Sequence, residues 1–267
     1  MTVGFVGAGG IGEPMVDRLV AAGHAVRVFA RRWEVRERLV AAGAVLVDAP
    51  AATATGAAVV VSCLYSDDQI DAVLPAVAAG LEAGAVLASH TTGTPAALDR
   101  LRPAAAARGA AVVDAPFSGT AEDARAGRLT VLVGGSATAV SACEPVLAAY
   151  TGRVVRTGGP GSALSTKLVN NVLFAGLAQI TLDAMRLAGE LGLDPVALAA
   201  ALEHCSGGSG ATRHLVASGS PERFADRVLP YLRKDLDACT GAGLPWRGGA
   251  LAAAVEAGPL PLAETPR

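Results

Sequence analysis

Residues 2–12 read TVGFVGAGGIG, and this stretch decides how the first half of the chain folds. A short apolar run, typical of a buried strand, ends at a glycine-rich loop, and an apolar helix pattern follows the loop. The glycines form G-x-G-x-x-G, which allows a tight turn, a close backbone approach to a ligand and close helix packing. An ordinary glycine-rich turn is the alternative. The flanking strand and helix favour a dinucleotide, whose pyrophosphate we expect at Gly7, Gly9, Gly10, Ile11 and Gly12.

The second predicted strand, residues 25–29, ends in the sequence FARRW at residues 29–33. An NAD-binding domain usually carries Asp or Glu here, because a carboxylate accepts hydrogen bonds from the ribose hydroxyl groups. This chain carries Arg31 and Arg32 instead, and a guanidinium group suits the 2′-phosphate of NADP. The alternative is that an arginine-rich chain simply places arginine on its surface. We predict NADP as the cofactor in preference to NAD.

Up to residue 157 the chain alternates short β-branched runs with longer segments rich in Ala, Leu and Arg. This alternation predicts βα units on a parallel sheet. After the glycine-rich segment 158–161 the strand pattern disappears and helix patterns follow. We therefore predict an α/β fold, with a Rossmann-type dinucleotide-binding domain (residues 1–157) joined by a long helix to an all-helical substrate and oligomerisation domain (residues 158–267). The predicted strands are 2–6, 25–29, 45–47, 58–64, 85–89, 111–114, 130–134 and 154–156.

The composition favours a globular protein whose partner is a small molecule. Of the 267 residues 52% are hydrophobic, and a net charge of −2 gives no basic field for nucleic acid or anionic lipid. The longest apolar helix pattern, about residues 163–188, is interrupted by polar residues, which favours a buried helix over a membrane span. We predict neither a nucleic-acid nor a membrane partner.

The four cysteines lie far apart in the sequence and lack the C-x-x-C or histidine spacing of a metal site. This pattern predicts reduced thiols in a cytoplasmic protein that binds no metal. The first residues also lack the basic start and the cleavage site of a signal peptide.

Lysine is scarce in this chain. Of its 22 basic residues only Lys167 and Lys234 are lysines, and Lys167 lies in the segment GGPGSALSTKLVNN at residues 158–171. A desolvated lysine can give up its proton at working pH, whereas arginine cannot. A helix beginning near Ser162 places Lys167 and Asn171 on one face, where an amine and an amide could meet a substrate oxygen. A surface lysine beside an ordinary helical asparagine is the alternative.

Four sequence blocks together resemble the β-hydroxyacid dehydrogenases, the family of the 3-hydroxyisobutyrate dehydrogenases and of several semialdehyde reductases. The blocks occur in the family's order and at roughly its spacing. They are GFVGAGGIGEPM with the following FARR, then DAPFSGT at 114–120, then GGPGSALSTKLVNN, and RKDL at 233–236. Each block alone is common, but the joint match is specific and spans residues 1 to about 245.

The resemblance implies hydride transfer between a nicotinamide and a small β-hydroxyacid or semialdehyde, in a homodimer or a larger homo-oligomer. Lys167 would be the catalytic acid or base and Asn171 would hold the substrate. Ser118, with the backbone amides of Gly119 and Thr120, would bind the substrate carboxylate. The remaining residues implied are Leu64, Tyr65, Thr92 and Lys234 along the cofactor, and Asp235, which would help to shape the closed site.

The chain departs from the family pattern at several positions. Thr120 replaces a usual glycine and adds a branched side chain beside the carboxylate site, and Ser89 replaces a common aspartate. Beyond Pro245 the sequence is shorter than the family's closing helices, so we expect an abridged helical domain. His90 lies near a cofactor loop, but no partner motif accompanies it and we expect a structural role. An imine reductase and a non-catalytic NADP-binding scaffold or sensor remain as alternatives.

Overall fold

The computed structural model describes residues 1–262, and within them nine strands form one sheet. The strands are β1 (Thr2–Val6), β2 (Ala25–Phe29), β3 (Val45–Leu46), β4 (Val59–Ser62), β5 (Val86–Ser89), β6 (Ala111–Asp114), β7 (Phe117–Ser118), β8 (Leu129–Gly134) and β9 (Thr151–Gly158). Their order is β3-β2-β1-β4-β5-β6-β8-β7, with β9 beside β8. Strands β1 to β6 are parallel, as the alternating pattern predicts.

The strand order reverses between β1 and β4, which lie side by side although two strands separate them in the sequence. In open α/β sheets a ligand binds at such a switch point, outside the carboxyl ends of the strands. The loops that follow β1, β4, β5 and β6 all leave this same edge, because these strands are parallel. Every sequence block predicted for the first domain therefore reaches one edge of the sheet.

The structure corrects several predicted strand bounds. β4 ends at Ser62, two residues earlier than predicted, because the chain turns at Cys63 to form the cofactor-side loop. β9 is longer than the predicted strand 154–156, since its pairing with β8 extends from Thr151 to Gly158. β7 was not predicted, and at two residues it is too short to leave a periodic pattern.

Both faces of the sheet are covered by helices. The helices of this half are α1 (Gly12–Ala21), α2 (Trp33–Ala41), α3 (Asp67–Gly80), α4 (Pro95–Asp99), α5 (Arg102–Ala107), α6 (Ala121–Arg125) and α7 (Ala137–Leu147), with a 3₁₀ turn at Pro50–Ala54. Alternate residues of one strand enter different cores: Val59 and Val61 join one cluster, and Val60 joins the other. Strands covered on both faces must be apolar throughout, which explains their unbroken hydrophobic runs.

The remaining helices are α8 (Ser162–Glu190), α9 (Pro195–Leu202), α10 (Gly210–Ser218), α11 (Pro221–Gly241) and α12 (Ala250–Glu256). The chain divides into two compact units, Met1–Lys167 and the residues from Leu168 onward. The α/β class and its helical second part are thereby confirmed. The second unit has its own apolar core, in which Phe224 is fully buried. Within this unit the buried side chain of Gln179 on α8 is hydrogen-bonded to the backbone of Val255 and Leu260.

Helix α8 is, among residues 1–262, the one helix long and apolar enough to cross a membrane by length and composition. Slightly more than half of its most apolar window, 56%, is buried inside the structure. The core helix of a soluble protein has the same properties.

Candidate active site

The glycine loop after β1 has the backbone that its sequence predicts. Gly7 has a φ of +95°, and a Cβ built there would lie 2.3 Å from the carbonyl oxygen of Cys63. A Cβ on Gly12 would lie 2.2 Å from the carbonyl oxygen of Gly7. These two glycines are therefore required by the fold itself. A Cβ on Gly9 or Gly10 would meet nothing within 4 Å, so the loop faces open space where a ligand can approach the backbone.

The N-terminus of α1 is left open by the protein. Ile11, the N-cap residue, makes no side-chain capping hydrogen bond, and within residues 1–262 the amides of Gly10 and Ile11 donate to no backbone acceptor. Uncapped amides at the positive end of a helix bind phosphate. The open loop and the uncapped helix start together fit the pyrophosphate of a dinucleotide.

Glu13, in the first turn of α1, would repel a pyrophosphate if its charge were unpaired. Its carboxylate accepts hydrogen bonds from the guanidinium of Arg38, one of them 2.8 Å long. This hydrogen bond lowers the pKa of Glu13 below its ordinary value, so the group stays ionised but paired. The paired charge leaves the helix start suitable for an anion.

Arg31 and Arg32 directly follow β2 and are both exposed. Arg32 is the N-cap residue of α2, and Arg31 and Arg32 occupy the two positions after Ala30 at this end of the strand. Because β2 pairs with β1, these two arginines lie at the same sheet edge as the glycine loop. Their placement agrees with the predicted contact to the adenosine end of a cofactor.

The loops after β4 and β5 are tied to each other. The Leu64 amide donates to the hydroxyl of Thr91 at 3.2 Å, and the carboxylate of Asp67 accepts from both the amide and the hydroxyl of Thr94. Tyr65, 55% exposed, and the half-buried Thr92 lie in these loops. The two loops that carry the predicted cofactor-lining residues are therefore hydrogen-bonded to each other at the carboxyl ends of the strands.

Lys167 and Ser118 are in direct contact. The Lys167 Nζ donates to the Ser118 Oγ at 2.9 Å, although 49 positions separate the two residues. Lys167 is half-buried in the first turns of α8, and Ser118 is exposed at the end of β7. Gly119 follows with a φ of +131°, which turns the chain away from the strand. The structure thus brings the predicted proton donor to the predicted carboxylate loop.

Thr120 is the N-cap residue of α6 and takes part in a capping box. Its amide donates to the carboxylate of Asp123 at 2.9 Å, and its hydroxyl accepts from the Asp123 amide. The hydrogen bond from the Thr120 amide lowers the pKa of Asp123. To bind a substrate carboxylate, as expected from the family resemblance, this amide would have to give up its hydrogen bond to Asp123.

Asn171 follows Lys167 by one turn of α8 and is 4% exposed. Its Oδ1 accepts from the side chain of Asn170 at 3.1 Å, whereas its buried Nδ2 has no hydrogen-bond partner within the part of the chain that the structure describes. An unpaired buried amide donor is costly, and an acceptor on a bound ligand would satisfy it. Lys234 and Asp235 are half-buried on α11.

His90 is buried and serves as an internal strut. Its ring nitrogens lie within hydrogen-bond distance of the Ala115 carbonyl and the Tyr150 hydroxyl, and its ring packs edge-on against Phe117. Burial lowers the pKa of His90 to about 4, so the ring is neutral at physiological pH. The structural role expected from the sequence agrees with these contacts.

Sequence reasoning missed Asp114, the last residue of β6. It is fully buried, and its two carboxylate oxygens accept from the amides of Gly161, Ala163 and Leu164 at 2.8, 2.8 and 3.1 Å. These amides belong to the start of α8. A carboxylate at the end of a strand gives no sign in the sequence of a helix start 47 residues later.

Comparison with known proteins gives two family matches that together span most of the chain. Residues 2–159 match the NAD binding domain of 6-phosphogluconate dehydrogenase, and residues 161–257 match the NAD-binding domain of NADP-dependent 3-hydroxyisobutyrate dehydrogenase.

Individual relatives agree with these matches. The 3-hydroxyisobutyrate dehydrogenase of Pseudomonas aeruginosa is 32% identical over 210 residues, which cover 78% of this chain and 70% of that protein. The 3-sulfolactaldehyde reductase of Escherichia coli K12 is 30% identical over 237 residues, covering 88% and 78%.

Solved structures share the fold. One described as Psf3 in complex with NADP+ and 2-OPP has a TM-score of 0.81 at 26% identity, covering 95% of this chain and 92% of that one. An imine reductase of Streptomyces aurantiacus has a TM-score of 0.71 over 96% of this chain and 92% of its own, and at 20% identity it shows the fold alone.

Proposed function

This chain belongs to the β-hydroxyacid dehydrogenase family and is an NAD(P)-dependent oxidoreductase acting on hydroxyl groups, and we propose that it interconverts a small semialdehyde acid and its β-hydroxyacid with NADP(H). The observation that carries the proposal is the 2.9 Å hydrogen bond from Lys167 to Ser118. Lys167 is the one lysine of the first unit, and this hydrogen bond joins its amine to the loop that the family resemblance assigns to the substrate carboxylate.

The preference for NADP rests on the end of β2. Two exposed arginines, Arg31 and Arg32, stand where a carboxylate would contact the ribose hydroxyl groups of NAD. A guanidinium group binds phosphate through charge-assisted hydrogen bonds, often two at once. The solved neighbour that contains NADP+ supports the same choice.

The substrate carboxylate would bind the Ser118 hydroxyl and the Gly119 amide, both exposed at the end of β7. We leave the Thr120 amide out of this proposed site, because it donates to Asp123 in the structure. Asn171 would donate its unpaired amide hydrogen to an oxygen of the substrate. Lys234 and Asp235 remain predictions from the family resemblance.

The bound nicotinamide would supply or accept the hydride. The task of Lys167 is to exchange a proton with the substrate oxygen: its ammonium form donates when the carbonyl is reduced, and its neutral form accepts when the hydroxyl is oxidised. Ser118 keeps the amine in one place through its hydroxyl group. Because the proton donor is already held beside the carboxylate site, less entropy has to be lost when the reacting groups come together.

We also propose a homodimer or a larger homo-oligomer. Four large apolar side chains of α8 are about half exposed, and their spacing of four and seven residues places them along one side of the helix. They are Val169, Leu173, Ile180 and Leu187. The four cysteines, all within residues 1–262, form no disulfide there, which fits a reducing compartment, and we propose the cytoplasm.

The test is the loss of NADPH absorbance with a panel of small semialdehyde acids, run in parallel with NADH and with imines. We expect turnover of at least one semialdehyde acid and a preference for NADPH. Turnover of imines alone would contradict the proposed substrate class and favour the imine reductase. Binding of NADPH without turnover of any compound would favour the scaffold or sensor.

A further inference from the structure

We propose that Asp114 is a positioning residue that sets the distance between Lys167 and Ser118. Its carboxylate connects the strand end that leads into the Ser118 loop with the first turn of the helix that carries Lys167. The inference rests on the proposed function of Lys167 as the proton donor and acceptor.

The contacts of Asp114 close a ring of short connections. Four residues of chain lead from Asp114 to Ser118, and about one helical turn leads from Ala163 to Lys167. The hydrogen bond from Lys167 to Ser118 closes one side of the ring, and the hydrogen bond from the Ala163 amide to Asp114 closes the other. With both sides closed, neither the loop nor the helix start can move without breaking a hydrogen bond.

A buried carboxylate must be compensated, and here three of its four hydrogen bonds come from the start of α8. Asp114 is fully buried and accepts three backbone N–H groups at the positive end of a 29-residue helix. The guanidinium of Arg102 adds a longer hydrogen bond and ion pair to one carboxylate oxygen, at 3.5 Å. The energy of this buried charge therefore depends on the exact place of the helix start.

The surroundings pack closely around the carboxylate. A Cβ on Gly134, the residue paired with Asp114 across the sheet, would lie 2.6 Å from an Asp114 oxygen and 2.8 Å from the Ala163 nitrogen. Gly161 has a φ of +84°, which turns its N–H toward the carboxylate. The glycines on both sides make the close approach possible and fix it.

The first test compares Asp114→Asn with Ser136→Ala. The asparagine keeps the size of the side chain, but its NH₂ group cannot accept the helix amides, so Lys167 loses its fixed place. Ser136 is the N-cap residue of α7 and caps the Ala139 amide, so its variant loses a helix cap but keeps every acceptor of the α8 amides. We expect kcat to fall roughly tenfold to a hundredfold in Asp114→Asn with NADPH affinity retained, and to stay within about twofold in Ser136→Ala.

The second test detects Lys167 without turnover. Because the chain has two lysines, protein labelled with carbon-13 at lysine Cε gives two NMR signals, and Lys234 is an internal reference. We expect Asp114→Asn to move the Lys167 signal toward its position in Ser118→Ala and to leave the Lys234 signal in place. Ser136→Ala should move neither signal.

The outcomes separate the two ideas. If Lys167→Ala keeps the wild-type rate, the proposed function itself fails. If Lys167→Ala loses turnover while Asp114→Asn behaves like Ser136→Ala in both tests, the proposed function stands and the positioning role of Asp114 is wrong. A double variant gives a further check, since Asp114→Asn should change the residual rate of Lys167→Ala by less than about twofold if it acts through Lys167.

Discussion

The first turns of α1 and α8 lie in the same compact unit and present the same groups, backbone N–H donors at the positive end of a helix. At α1 no side chain caps the amides, and the glycine loop faces open space. At α8 the buried carboxylate of Asp114 accepts three amides. The difference teaches that a helix start left open can bind the anion of a ligand, whereas one closed by the protein's own anion can hold a side chain in place.

The largest effect is expected when the open start of α1 is filled by a side chain. In Gly9→Val the new side chain meets no protein atom near its Cβ, but it occupies the space from which a pyrophosphate approaches. We expect NADPH affinity to fall about a hundredfold, close to 3 kcal/mol, while the free energy of unfolding changes by less than about 0.5 kcal/mol. Titration calorimetry and urea unfolding measure the two quantities. Unchanged NADPH affinity would show that the loop does not contact the cofactor.

A smaller effect is expected at the adenosine end of the cofactor, where we assign Arg31 to the 2′-phosphate. Arg31→Ala removes a guanidinium group that we assign to the 2′-phosphate, so the KM for NADPH should rise roughly tenfold to a hundredfold and that for NADH should change little. Steady-state kinetics with both cofactors measure the selectivity. Arg153→Ala, an exposed arginine on β9, is the control for the change in net charge. Equal effects on NADPH and NADH would contradict the assignment.

His90 packs against Ala115 and Phe117, which lead into the Ser118 loop, and the pH dependence of stability tests whether its buried ring is neutral. The pKa of His90 is about 4 in the folded chain and 6.5 as the ordinary value, so the unfolded chain binds more protons between these values. The stability that the folded chain gains by holding His90 neutral is therefore fully present above pH 6.5, and it is lost as the pH falls toward 4. Between pH 7.5 and 5.5 we expect His90 to remove roughly 1.3 kcal/mol of stability.

Urea unfolding of wild type and His90→Gln at the two pH values measures this loss. The variant should show a smaller pH dependence than the wild type. His204→Gln, at an exposed position, is the control and should keep the wild-type dependence. If His90→Gln and wild type lose the same stability, the neutral buried histidine is not the cause.

A third helix start, that of α6, gives the smallest effect. Thr120→Ala breaks the capping box with Asp123 and should lower the free energy of unfolding by about 1 kcal/mol. Ser209→Ala, which breaks the capping box of α10, is the matched control. Because the Thr120 amide serves Asp123, we expect the KM for the substrate to stay within about twofold in both variants. A tenfold rise in KM for Thr120→Ala alone would return this residue to the substrate site.

Features encoded by neighbouring residues could be predicted from the sequence. The glycine loop, the parallel strands β1 to β6 and the start of α8 near Ser162 each follow from a local pattern, and the structure confirms them, whereas β8 runs antiparallel to β6 and β7. The capping box of Thr120 also has a local signature, Thr followed three residues later by an acid, and could have been recognised. Its recognition would have shown in advance that the Thr120 amide is already bonded.

Features that depend on distant residues could not be predicted in this way. The clamp of Asp114 on α8 joins residues 47 to 50 positions apart, and the His90 strut joins a loop to Tyr150 across 60. Such contacts depend on strand order, which follows from the packing of the whole sheet. Sequence alone placed Lys167 and Ser118 in the same site through a family resemblance, and the structure adds the hydrogen bond between them.

The measurement that tests the central claim most directly is a single-turnover reaction of wild type and Lys167→Ala, each saturated with NADPH and mixed with the best semialdehyde acid. The account predicts that the variant binds NADPH as tightly as the wild type and that its rate of NADPH oxidation falls by about a hundredfold to ten-thousandfold. A Lys167→Ala rate within about twofold of the wild-type rate would contradict the account, because proton transfer would then not depend on Lys167.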